Sequence, residues 1–543
     1  MAHSLLNRSS WWESPRLAGL ASLPPALLAL GVCCYQLAYP HVLHGVFSYD
    51  DGVYFGSAVY LIHGVVPYRD FAFVVPPGIT LLMTPFALLT HVMSSNEALG
   101  VARIFTAVVT GANAMLAGLA VRHRGVAASA AAATVLAIFP SAYLADSTVL
   151  LEPYLVFFCL LGAVLLFQNG HLATPRRAWL AGLAFGFGAA VELWAVIPLV
   201  IALAFSVPVW RRAVLPLLGG AVIGLGLPSV PFVLLGPNAF GRDVVLTQLG
   251  RTPSGPVAGT GARFLNLTGI GPALHLHASG HAAIEIGIGA ALVLGLIFVV
   301  AGATRRSSRF DGFAFASMVV VTLVIMVVPT FYGHDTYFAA PFVAIVFGLA
   351  VRYLLEVLTW IIQSVAGGSY VSVDFAARTG LSFIAVALVV AGAVTTVRRE
   401  ATFSRTFFAT VTESPGPAVA ASLPPGGCVV TDETSLVISG NRFSVGPVGC
   451  PTVLDSFGTW LAASPEHPPQ SPGPPDASLV AEWRDWLGQA DYVVLTTPGS
   501  TRIPWTPALR RFFARTFVSV SNPPGAAIYR RSDNALLTAA RAG

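Results

Sequence analysis

Long apolar runs separated by short, arginine-bearing loops leave this chain one class of fold. Crossing a bilayer takes about 20 apolar residues, and lipid tolerates only helices or closed barrels. Candidate spans are 17–40, 98–121, 126–145, 154–168, 178–193, 194–207, 213–235, 284–303, 312–330, 338–357 and 380–397. They are too long and too uniformly apolar for barrel strands, so the fold class is a polytopic α-helical membrane protein. Composition agrees: 10% of residues are charged, against about 25% in a soluble domain. The net charge of +5 and the scattered arginines call for no nucleic-acid partner. No cleaved leader is expected, because Met1–Arg16 is polar and no small-residue cleavage site follows the first span.

One further apolar stretch, 75–93, is ambiguous, and the arginines decide it. Cytoplasmic loops collect basic residues. The clusters are Arg8/Arg16, Arg122/Arg124, Arg176/Arg177, Arg211/Arg212, Arg305/Arg306/Arg309 and Arg352/Arg378. If 75–93 crosses, every cluster after the first falls outside. If it re-enters or lies on the outer surface, all fall inside. The second threading predicts about eleven crossings with the N-terminus cytoplasmic. It places 41–97, 146–153, 236–283 and 331–337 in outer loops and the region from 398 onward outside.

Two domains are expected, a membrane domain over 1–400 and a small extracytoplasmic α/β domain over 401–543. The second carries a proline-rich loop at 461–475, strand-like runs at 428–430, 492–495 and 527–529, and amphipathic helix candidates at 477–489 and 507–515. Cys33, Cys34 and Cys159 sit in apolar spans, whereas an outer location would let Cys428 and Cys450 form a disulfide.

The outer loops hold the chemistry. Phe47-Ser48-Tyr49-Asp50-Asp51-Gly52-Val53-Tyr54 sets two carboxylates side by side just after the first span. Adjacent aspartates repel and need water, cations or donors. Such a pair suits proton abstraction, with one acid as base and the other as orienter or ligand of a divalent cation. A solvated Asp-Gly turn is the bland alternative. Further on, Arg69 and Arg103 are candidate phosphate ligands, since a guanidinium fork fits phosphate oxygens. Arg69 pairing with Asp70, and Arg103 snorkelling to the interface, are the alternatives. Pro76-Pro77-Gly78 would turn a re-entrant helix. Glu152-Pro153 suits either catalysis or a helix start. Glu192, within Val191-Glu192-Leu193-Trp194, should face a cavity or a partner or mark a break between short spans. Tyr54, Asp70, Asp146, His334 and Tyr337 complete the candidate substrate-binding set, with Asp335 in the same loop as the last two. His275, His277 and His281 have metal-ligand spacing, though a histidine-rich polar loop explains them as well.

Tyr49-Asp50-Asp51-Gly52-Val53-Tyr54, Pro67-Tyr68-Arg69-Asp70-Phe71, Pro76-Pro77-Gly78, Ala102-Arg103 and Leu151-Glu152-Pro153 together resemble the GT-C superfamily of membrane glycosyltransferases. Within it the chain looks most like the protein O-mannosyltransferase and lipid A aminoarabinose transferase branch, in its multi-spanning actinobacterial form. The resemblance covers 17–400 in topology, with its sharp motifs in the first two outer loops. It implies a polyprenyl-phosphate sugar donor, transfer on the outer face of the cell membrane, and a catalytic aspartate in the first outer loop. By position Asp50 matches the first acid, Asp51 the second, and Glu152 the acid of the second loop. Relatives carry a basic residue in the segment matching 191–194, so the resemblance assigns Glu192 no phosphate.

The expectation is thus an inverting glycosyltransferase acting on an envelope glycan, lipid or protein. Asp50, Asp51 and Glu152 are its catalytic candidates, and a divalent cation is the one cofactor the reading allows for. A transporter or flippase for lipid-linked substrates is the first rival and should show repeats with paired broken helices. A non-catalytic envelope-assembly protein is the second, and it would tolerate loss of both aspartates.

Overall fold

The structure, a computed structural model, describes residues 13–141, 145–252, 259–268, 281–303, 307–365, 371–409, 414–469, 474–497 and 499–532. It is mostly helical, with a small sheet near the C-terminus. Among the described residues, seven helices are long and apolar enough to cross a membrane, and four more are apolar but shorter. Expected spans 126–145 and 154–168 are among the shorter ones, as helices Val126–Ala137 and Glu152–Leu166.

Local chemistry explains the breaks. Pro175–Val191 ends at Glu192, whose extended backbone (φ −152°, ψ 131°) interrupts the run before helix Val196–Ser206. The acid inside an apolar stretch therefore marks a break. The 75–93 segment folds as helix Gly78–Ala87 and a single turn, Leu88–His91. It packs against helices Tyr49–Ile62 and Pro175–Val191. Only glycine fits at 78, where a Cβ would run into the Ala190 carbonyl. Helix Ser95–Ala120 starts with a capping box of Ser94 and Glu97.

A two-residue hairpin joins β1 (Phe167–Gln168) to β2 (His171–Leu172). The C-terminal sheet contains β3 (Val429–Thr431), β4 (Tyr492–Thr496), β5 (Phe517–Ser521) and β6 (Ala526–Arg531), in the order β3-β4-β6-β5. β3 and β4 are parallel, which requires a crossover. Helix Ala477–Gln489, capped by Asp476, lies within it. Trp483, Leu479, Leu487 and Val493 fill one face of the sheet, and Val494, Ile528, Leu436 and Val437 the other. Strands at 428–430, 492–495 and 527–529 and helices at 477–489 and 507–515 were all legible; β5 was not. Cys428 and Cys450 form the expected disulfide, with Cα atoms 5.4 Å apart. It closes the loop that carries helix Thr434–Ser439 onto helix Tyr49–Ile62. One helix, Val371–Ala409, runs through the expected boundary at 400.

Candidate active site

Both aspartates sit in the first turn of helix Tyr49–Ile62, where the dipole favours acids. Their side chains diverge. Asp51 is fully buried against Arg103, which is also fully buried. Arg103 Nε and Nη2 donate to Asp51 Oδ2 at 3.0 and 2.6 Å. Its remaining donors go to the carbonyls of Val42 and Leu43, both at 2.8 Å, and Gly45 at 3.0 Å. All five N–H groups of a guanidinium are thereby used. Arg103 is therefore neither a phosphate ligand nor a snorkelling arginine, and Asp51 is an internal anchor. Ser435 Oγ, 2.8 Å from Ser48 O and 3.4 Å from Asp51 Oδ1, ties the C-terminal region to this turn.

Asp50 turns the other way, into a cavity of about 610 Å³. No side chain among the described residues donates it a hydrogen bond. Burial raises its carboxyl above the ordinary range, with His334 and Arg502 pulling it down and Asp51 adding to the rise. The opposite wall comes from two helix starts. Glu152, at the head of helix Glu152–Leu166, is 6% exposed. Its Oε1 lies 3.6 Å from His334 Nε2, and its Oε2 is buried without a partner. His334 is also 3.8 Å from Asp335 Oδ1 and stacks on Tyr332. Asp335 closes its own turn by accepting from Tyr332 N at 2.7 Å. Glu192 joins the lining, with Oε2 buried and unpartnered.

Two guanidiniums face these acids. Arg251, from the 236–283 segment, packs over Tyr332 and Phe457 at 5.8 Å. Its Nη2 is 3.3 Å from Tyr332 Oη, and its Nε is buried without a partner. Arg502, from the C-terminal region, lies 4.1 Å over the Tyr49 ring. Its Nη1 donates to Glu433 Oε2 at 2.8 Å, and Nε and Nη2 have no hydrogen bond among the described residues. Asp455 accepts from Tyr49 Oη and Gly458 N, both at 2.7 Å. Burial pushes Asp455 up to about 6 and Glu433 up to about 7.

Of the residues read from sequence, Asp50, Tyr54, Glu152, Glu192, His334 and Asp335 line this cavity. Asp51, Arg69, Asp70, Arg103, Asp146 and Tyr337 do not. Arg69 forks onto Asp70 (2.9 and 2.7 Å) and reaches Gly64 O on the surface. Asp70 also accepts from Val66 N, closing its turn. The bland alternative holds for both. Asp146 is buried with Tyr337, and Tyr337 Oη is 3.4 Å from Asn113. These residues form an interior network away from the cavity lining. Of the histidine cluster, His275, His277 and the His281 side chain lie outside the described residues.

Sequence reasoning missed Arg251, Arg502 and Asp455. A signal existed for Arg251: it is one of four arginines in the outer loops that the threading sets between spans. Nothing local marked Arg502 or Asp455, which reach Tyr49 only through tertiary docking.

Glu152, His334 and Asp335 place one donor atom each within 4.8 Å of one another. With the unpartnered Glu152 Oε2, this carboxylate–imidazole set fits a first-row divalent cation. Five carboxylates line the cavity (Asp50, Glu152, Glu192, Asp335, Asp455) against two arginines, so its field attracts cations.

The model of glycosyltransferase family 87 matches residues 73–329. No curated protein matches the chain by sequence. Among solved structures, ArnT from Cupriavidus metallidurans bound to undecaprenyl phosphate superposes with TM-score 0.57 at 13% identity, covering 94% of this chain and 98% of that one. Its apo state matches with TM-score 0.57 at 14% identity over the same shares. The apo oligosaccharyltransferase of Archaeoglobus fulgidus matches with TM-score 0.51 at 13% identity, covering 97% of this chain and 75% of that one. The chain therefore shares the fold of these membrane glycosyltransferases, ArnT and the archaeal oligosaccharyltransferase, which is the GT-C fold that the resemblance implied.

Proposed function

We propose that this protein is an inverting glycosyltransferase that moves a sugar from a polyprenyl-phosphate donor to a cell-envelope acceptor. The observation that carries the reading is Asp50. It is a carboxylate without a hydrogen-bonding partner among the described residues, raised in pKa, at a helix start in a large cavity, with guanidiniums facing it. Asp50 takes the proton of the acceptor hydroxyl as that oxygen attacks the anomeric carbon. The carbon–oxygen bond to phosphate breaks on the opposite face, so configuration inverts. The electron pair leaves on the lipid phosphate, whose growing charge meets the free Nε of Arg251. Asp51 and Arg103 hold the turn from behind, and Arg502 keeps the acceptor side of Asp50 cationic.

Glu152, His334 and Asp335 would hold a divalent cation, which would supply further positive charge beside the leaving phosphate. The lipid tail departs over Leu246 and Leu249, which are 62% and 80% exposed next to Arg251. ArnT has been solved with undecaprenyl phosphate, which supports a donor of this kind.

The reading includes the topology of about eleven crossings, a cytoplasmic N-terminus and an extracytoplasmic domain over 401–543. That Asp455 and Arg502 share a cavity with Asp50 supports placing the first loop and the C-terminal region on one side of the membrane. The Cys428–Cys450 disulfide favours an oxidising compartment.

The test is transfer from a panel of polyprenyl-phosphate sugars by wild type and Asp50→Asn. The substitution keeps shape and removes the base, and the expected loss is about 100- to 10,000-fold. A folded Asp50→Asn protein with wild-type transfer would exclude the mechanism.

A further inference from the structure

A second cavity, of about 300 Å³, lies in the C-terminal region beside the end of β4. Its size is at the small end of ligand sites, which run about 300–1,000 Å³. Three aromatic rings build it. Phe513 meets Trp505 edge-on at 5.4 Å and Tyr529 at 4.9 Å. Arg510 lies over Trp505 at 5.3 Å, and its guanidinium makes no hydrogen bond or ion pair among the described residues. Ser500 is more than nine-tenths buried, lines the cavity, and its Oγ has no partner. The Tyr529 hydroxyl is likewise unbonded among the described residues.

A buried hydroxyl without a partner costs about 1–3 kcal/mol unless a ligand or water satisfies it. The set here is aromatic rings, two hydroxyls and one guanidinium fork. A saccharide satisfies all three: its C–H faces lie on rings, and its hydroxyls both donate and accept. A multiply charged anion suits the site poorly, since Arg510 is the one cation that lines it among the described residues.

The position of the cavity connects it to the catalytic site. Gly499 and Ser500 line this cavity, and the next two residues, Thr501 and Arg502, line the cavity of Asp50. One short loop walls both. Gly499 takes φ +98°, which lets the chain turn between them.

We propose that the second cavity is a saccharide subsite that holds a sugar unit of a glycan acceptor, remote from the reacting hydroxyl. The proposal rests on the glycosyltransferase reading and narrows its acceptor to a glycan.

The experiment uses the full chain in lipid nanodiscs. Binding is read by saturation-transfer NMR with methyl glycosides and disaccharides of mannose, arabinose, galactose and glucose, and with inorganic phosphate as a separate arm. At least one saccharide should bind, and Asp50→Asn should leave its binding intact. Arg510→Gln, at an exposed position, should weaken it about tenfold, the worth of one charge-assisted hydrogen bond. Trp505→Leu should abolish it, and Arg510→Gln carries the test if that variant does not fold. In transfer assays Arg510→Gln should raise KM for disaccharide acceptors and leave kcat unchanged. No saccharide binding, or binding unchanged in Arg510→Gln, would overturn the subsite. Phosphate binding alone, sensitive to Arg510, would overturn it in favour of an anion site. Normal transfer without saccharide binding would remove the subsite and leave the enzyme. Saccharide binding with unimpaired transfer by Asp50→Asn would remove the mechanism and leave the subsite.

Discussion

Replacing Arg103 separates an anchor from a substrate ligand. Arg103→Gln removes a guanidinium that bonds Asp51 twice and three carbonyls besides. Asp51 would stay buried with Ser435 as its remaining side-chain donor among the described residues. Breaking one side of a buried ion pair costs about 3–5 kcal/mol. The carbonyls of 42, 43 and 45 add to this where water cannot reach them, at about 1–3 kcal/mol each. Against a total stability of about 5–15 kcal/mol for a typical domain, that is a large share. Thermal unfolding in detergent, followed by tryptophan fluorescence, should show a lowered midpoint. Adding Asp51→Asn should recover part of the loss, since the uncompensated charge disappears with it. Arg251→Gln should do the reverse, leaving the midpoint near wild type and reducing transfer. An Arg103→Gln protein as heat-stable as wild type but inactive would refute the anchor and return Arg103 to the substrate.

Three more outcomes are expected. Cys428→Ser with Cys450→Ser opens a loop of about 22 residues and should cost about 2–4 kcal/mol; an unchanged unfolding midpoint would count against the bond. Asp455 rises from 3.8 to about 6 on folding, so the folded state binds the proton more tightly, and stability is full below about pH 4 and falls as pH rises to about 6. The fall is at most about 3 kcal/mol at 1.36 per unit, and Asp455→Asn, which still accepts from Tyr49 and Gly458, should flatten that window in unfolding curves measured from pH 4 to 7. Val92, 80% exposed beyond helix Gly78–Ala87, should as Val92→Cys react with an impermeant thiol reagent from outside intact cells; reaction only after permeabilisation would reverse the threading.

What could be read from the sequence followed the distance over which it acts. Asp50 was legible because its meaning lies in eight contiguous residues after a span. The break at Glu192 was legible because an acid in an apolar run has few resting places. The C-terminal strands were legible as short apolar runs, apart from β5, an edge strand whose residues 518–520 are exposed. The roles of Asp51 and Arg103 were not, because the partner lies 52 residues away and its surroundings turned a potential ligand into a strut. Arg69 failed for the opposite reason: its partner is the next residue, and a surface fork is the cheapest arrangement available to it. Arg502 and Asp455 lie more than 400 residues from Tyr49, and no local pattern announces such a meeting.

Two glycines show how that meeting is arranged. Gly52 and Gly56 are four residues apart and so share one face of helix Tyr49–Ile62. A Cβ at 52 would run into Ser435, and one at 56 into Leu454. Ser435 is the residue that reaches Ser48 and Asp51, and Leu454 precedes Asp455. The helix that carries Asp50 is thus smooth where the C-terminal region lies on it, and the contact sets how deep Asp455 and Arg502 sit. The disulfide holds the same region from behind, since the loop it closes contains Ser435. The cavity around Asp50 is therefore assembled from both ends of the chain, and its charge balance depends on a glycine-lined seam that carries no charge itself.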